Sequence, residues 1–90
     1  MNDPRLIRLG LELKTARKTL GLRQVDIAAA LGVANSIVHY YEVGAIEPPA
    51  LRLFHLAGLL RLNLDALAVR VGSSKKRRTG GILVRNRSAA

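Results

Sequence analysis

Asn35, Ser36, His39 and Tyr40 stand at i, i+1, i+4 and i+5 of one short stretch. On an α-helix that spacing gathers them on one side, away from Val38 and Tyr41, whose three-residue separation suits a core-facing stripe. All four carry hydrogen-bonding groups and none is acidic. Two readings fit such a face. It is an ordinary solvated surface, or it matches the donor and acceptor pattern that base edges present in a major groove. A face that meets only water more often carries Glu and Lys.

Catalytic chemistry finds little to work with. The chain has no Cys, which removes disulfides, thiolate metal sites and cysteine nucleophiles together. Of its two histidines, His55 has no partner at metal-ligand spacing, and His39 stands far in sequence from any carboxylate pair. No activated nucleophile and no Gly-rich phosphate loop is present. The expectation is a protein that is not an enzyme, with no metal and no cofactor.

Charge supplies the stronger signal. Fifteen Lys/Arg against six Asp/Glu give a net charge of +9 over 90 residues, an excess that attracts a polyanion or an anionic surface. The excess is uneven. Residues 1–70 hold nine of the basic residues and all six acids, whereas residues 71–90 hold six basic residues and no acid. The first segment reads as one folded domain. The second reads as a basic, Gly/Ser-containing tail, with Lys75, Lys76, Arg77 and Arg78 in a run and an apolar triplet at Ile82-Leu83-Val84. No apolar run approaches the ~18–20 residues that span a bilayer, and Met1–Arg5 lack the basic-then-apolar order of a signal peptide. A cytoplasmic, nucleoid-associated location away from membranes is expected.

The elements that must position the polar face follow from helical periodicity. Leu6, Leu9, Leu13, Ala16 and Leu20 form one face of a first helix, started by Asp3-Pro4 and stopped by Gly21. A second helix spans about 24–31 with Val25, Ala28 and Leu31 inward, and Gly32 makes the turn that follows. The third helix runs from about Asn35 to Val43 and stops at Gly44. Pro48-Pro49 opens a fourth helix carrying Leu53, Phe54, Leu56, Ala57 and Leu60, and Asn63 caps a fifth that uses Leu64, Leu67 and Ala68. Nothing alternates at strand period. The fold class is all-α, a bundle of about five short helices, with a helix-turn-helix at about 24–43.

The stretch from Leu9 to Leu67 closely resembles the Cro/C1-type helix-turn-helix regulators. The resemblance rests on Leu9-Gly10, Leu13, Ala16-Arg17, Gly21-Leu22-X-Gln24, Ile27-Ala28, Leu31-Gly32-Val33, Val38, Glu42-X-Gly44, Pro48, Leu53, Leu56-Ala57, Leu60 and Asn63-Leu64-Asp65-X-Leu67. It implies a lambda-repressor-like fold and assigns roles by position. Gln24 falls where the family contacts a DNA phosphate and braces the third helix. Asn35, Ser36 and Tyr40 fall where base edges are read, with His39 at a neighbouring base or phosphate position. Arg17 and Glu42 match a structural pair that joins the first helix to the end of the third.

Departures from the pattern carry their own expectations. Arg23 stands where a Ser or Thr cap is usual, so it is free to point at phosphate. Ala34 replaces the cap of the third helix, which leaves Asn35 either as base reader or as the cap itself. Arg61 occupies a usual Gly position. Leucines beyond the pattern suggest a dimer contact around the fourth and fifth helices, with Leu51, Leu59, Leu62 and Leu67 as candidates; Ile82-Leu83-Val84 is the competing device.

The resulting expectation is a double-stranded DNA-binding transcriptional regulator, a homodimeric repressor reading an inverted-repeat operator. Asn35, Ser36, His39 and Tyr40 would read bases; Arg23, Gln24 and Lys75–Arg78 would contact phosphates. Two alternatives remain open: an antitoxin that also grips a toxin or other protein partner, and an RNA- or ribosome-associated adaptor that works through the tail.

Overall fold

The structure, a computed structural model, describes residues 3–72. They form α1 (Pro4–Thr19), α2 (Gln24–Leu31), α3 (Asn35–Val43), α4 (Ala50–Leu60) and α5 (Leu64–Val71), with no strand among the described residues. Lys75, Lys76, Arg77, Arg78 and Ile82-Leu83-Val84 lie outside them, as does most of the expected tail.

Local chemistry sets the helix ends. The Asp3 carboxylate accepts the Arg5 backbone N–H at 2.8 Å, and Pro4 opens α1. That hydrogen bond holds the Asp3 carboxyl below its ordinary range, with help from the Arg5 guanidinium. At α5 the Asn63 side-chain oxygen accepts the Ala66 N–H at 2.9 Å. Between α2 and α3, Gly32 takes φ 72°, the left-handed value that lets the chain turn within a few residues. Arg61 ends α4 at φ 58°, the one positive φ at a non-glycine among the described residues. A side chain there carries a steric cost that Gly escapes.

Leu13, Ile27, Ala28, Val38, Tyr41, Leu56 and Leu60 make the core. α1 lies across α3, α4 and α5, while α2 packs on α3 and α4. Two close approaches lock α1 against the end of α3. A Cβ on Gly10 would collide with the carbonyl oxygens of Tyr41 and Glu42, and one on Gly44 would stand 2.7 Å from the Ile7 Cα. Backbone meets backbone at this corner, so side chains larger than hydrogen are excluded.

Apolar positions that differ from the periodicity reading include Leu20, Val25 and Ile27, and Phe54 and Leu64 are exposed as well. Val25 is 42% exposed and Leu20 37%, whereas Ile27 is buried. The buried arc of α2 centres on Ile27 and Ala28, and Val25 lies about 160° around the helix from Ile27 at ~100° per residue. Leu20 sits at the C-cap of α1, beyond the last packed turn. Leu67 is 3% exposed and joins the interior; it therefore presents no surface to a second copy, contrary to its place among the dimer candidates. Among the described residues no helix is long and apolar enough to cross a membrane.

Candidate nucleic-acid interface

The inner side of α3 is closed off by Val38, Tyr41 and Glu42, all buried. Its outer side carries Asn35, Ser36, His39 and Tyr40, every one exposed. The structure brings these four together as the spacing requires. Tyr40 is 44% exposed, and its ring stands 5.8 Å from that of His39 at an interplanar angle of 57°, an edge-tilted pairing that restrains both side chains. Ala34 is the N-cap, with extended φ and ψ and no side-chain cap bond, and Asn35 is the first helical residue. Asn35 is thus not the cap, and its amide stands free on the outer face.

The tilt of α3 is fixed by a buried polar network. Glu42 accepts Arg17 Nε at 2.7 Å and Arg17 Nη2 at 3.2 Å, the two-pronged geometry that fits a guanidinium to a carboxylate. A third donor, Gln24 Nε2, reaches the same carboxylate at 2.9 Å from the first residue of α2. The remaining Arg17 prong, Nη1, donates to the Leu22 carbonyl at 2.8 Å. One carboxylate therefore ties α1, α2 and the linker between them to the last turn of α3. The Arg17 and Glu42 side chains are only 10% and 4% exposed. Burial without these partners would cost several kcal/mol, so the network works as a register rather than as net stabilisation.

Arg23 is placed differently from the expectation of a free phosphate contact. The Asp26 carboxylate accepts its backbone N–H at 2.8 Å and its guanidinium at 3.1 and 3.3 Å. The α2 N-cap has no side-chain acceptor of its own, and Asp26 supplies the reciprocal half of a capping box instead. The guanidinium bond, followed by the backbone bond, keeps the Asp26 carboxyl below its usual range and raises Arg23. Arg23 remains largely exposed, so it can face an anion while still held by Asp26.

Several contacts left no trace in the sequence pattern. Arg52 Nη1 donates to the Tyr41 hydroxyl at 3.0 Å, linking α4 to α3. Glu12 meets Arg8 at 2.9 Å and Arg70 at 3.5 Å, joining α1 to α5. Of these only the Arg8–Glu12 spacing, i to i+4, is recognisable beforehand. On α4, Leu51 is 81% exposed and Phe54 53%, while Leu59, and Leu62 just past the helix end, are half-buried. Phe54, grouped by periodicity with the apolar residues of this helix, is at the surface instead. Among the described residues no cluster of three or more His, Asp or Glu could hold a metal ion.

A helix-turn-helix family model matches residues 13–75, more than two-thirds of the chain. The chain belongs to the Cro/C1-type helix-turn-helix family. Members of this family are DNA-binding regulators of transcription rather than enzymes. Among solved structures, the chain is similar to the restriction-modification controller protein C.AhdI from Aeromonas hydrophila, with a TM-score of 0.63 and 27% identity over 69% of this chain and 94% of that one. No functionally curated protein matches the chain in sequence. As in other helix-turn-helix regulators, the second helix of the motif is the one left open along its length, and here that helix is α3.

Proposed function

We propose that the protein is a sequence-specific repressor that binds double-stranded DNA as a homodimer. In this reading α3 enters the major groove, where Asn35, Ser36, His39 and Tyr40 meet base edges. Gln24, Arg23 and the basic run Lys75–Arg78 meet phosphates and set position without selecting sequence. One observation carries the proposal: an acid-free, hydrogen-bonding helix face stands exposed while a buried three-residue network fixes the helix beneath it. Such pre-positioning favours a reader of fixed geometry, because misplacement of donors by even 1 Å breaks paired hydrogen bonds.

The dimer would form through α4. Leu51 and Phe54 project outward, and a Cβ at Gly58, one turn on, would meet nothing within 4 Å. Leu62 and Leu59 flank this stripe half-buried. A second copy packed there by two-fold symmetry would place two α3 helices on successive major grooves about 34–36 Å apart, which requires an inverted-repeat operator. Selection of bound duplexes from a random pool tests the whole reading. A palindromic winner is the expected result; the absence of any preferred duplex would overturn it, and binding retained by RNA alone would favour the adaptor.

A further inference from the structure

We infer that the open groove between the start of α1 and the end of α5 is the docking site for residues 82–85 of this same chain. Leu6, Leu9 and Val71, all half-buried, form an apolar floor, with Asp3, Arg5 and Glu47 at the rim. The rim charges are not equivalent. Arg5 is already turned onto Asp3 at 3.2 Å. Glu12, Asp26 and Glu42 likewise have arginine partners elsewhere. Glu47 makes no ion pair or hydrogen bond among the described residues, so the groove offers three apolar side chains and one unused carboxylate.

The sequence beyond Gly72 carries the complement: Ile82-Leu83-Val84, then Arg85. In an extended segment Ile82 and Val84 point to one side, toward the floor, and Arg85 projects to the other register, toward a rim carboxylate. Connectivity permits the return. Val71 lines the groove itself, and the nine residues 73–81 that separate Gly72 from Ile82 reach at most about 30–36 Å when extended. A loop that leaves the groove and comes back needs only half that span, and the entropy of closing it grows slowly with length. Those intervening residues contain Lys75, Lys76, Arg77 and Arg78. Docking would hold the basic run at both of its ends. This device stands apart from DNA recognition, so its test needs no DNA.

The test is methyl and side-chain NMR on the full chain at dilute concentration. Nuclear Overhauser contacts are expected from the Ile82 and Val84 methyls to those of Leu6 and Leu9. Ile82→Asp should abolish them, Glu47→Arg should weaken them, and Glu47→Arg combined with Arg85→Glu should restore them. Glu47 is exposed and Ile82 and Arg85 lie outside the described residues, and unchanged Leu13 and Val38 methyl signals verify that the fold is retained. Absence of the contacts in the native chain, or failure of the charge swap to restore them, overturns the inference. Contacts seen only between differently labelled copies also overturn it, because a neighbour's segment then fills the groove.

Discussion

α3 and α4 are neighbours in sequence and share a similar length, yet their outward faces are chemical opposites. α3 turns Asn35, Ser36, His39 and Tyr40 to solvent, and α4 turns out chiefly Leu51, Phe54 and the bare backbone of Gly58, with His55 exposed beside them. Both helices bury the opposite side in one core: Val38 and Tyr41 from α3, Leu56 and Leu60 from α4. The shared interior explains why both are amphipathic. It does not explain the outer faces, which are free to serve different partners: hydrogen-bonding groups for a polar ligand surface, and apolar groups for a protein surface.

The largest expected effect removes the frame that both faces depend on. Arg17→Met or Glu42→Ala leaves one buried charge without its partner and should cost about 3–5 kcal/mol in denaturant unfolding. The duplex preference should vanish with it, since α3 loses its tie to α1 and α2. Next come the two faces separately. Tyr40→Ala or Asn35→Ala should cost ~1–3 kcal/mol on the preferred duplex and little on random DNA, leaving oligomeric state unchanged in light scattering. Leu51→Asp with Phe54→Asp should do the converse, giving a folded monomer that retains half-site preference. If either pair of changes altered both properties, the division between α3 and α4 would fail.

Two smaller effects sharpen the local picture. Arg61→Gly should raise stability by up to about 1 kcal/mol, because relief of the left-handed side-chain strain exceeds the added freedom of the unfolded chain. The smallest effect is the pH dependence of Asp26. Its carboxyl lies below the ordinary value of 3.8 in the folded chain, so its contribution is complete above that value and is lost as pH falls through the lowered one. Compared with Asp26→Asn, the native chain should be more stable at neutral pH, and the difference should close in acid. Carboxyl NMR titration of Asp26 reads the shift directly.

How much of this was legible beforehand differs by level. Helix ends were, because Pro4, Gly21, Gly32, Gly44 and Asn63 act through backbone rules that need only their neighbours. The polar side of α3 was too, since four exposed polar positions at helical spacing can only lie together. The Arg17–Glu42 pair came from family resemblance, and Gln24's place on the same carboxylate gives that resemblance its physical content. Arg52 on the Tyr41 hydroxyl was not legible, because eleven residues separate them and nothing local demands the contact. Nor was the capping role of Asp26, whose carboxylate accepts both the backbone N–H and the guanidinium of Arg23.

Sequence alone determined the order of the five described helices, most of their starts and stops, and which residues share a side, because hydrogen-bond geometry and periodicity act over a few residues. Only the tertiary structure decided which apolar side chains are covered. Val25 and Phe54, both read as helix-face residues, emerged at the surface, and Leu67, read both as a helix-face residue and as a dimer contact, went to the interior, because burial depends on which neighbour packs against a helix. The same holds for the backbone contact of Gly10 with the end of α3. It brings α1 close enough for Arg17 to reach Glu42, and with that contact the outward side of α3 acquires a fixed direction.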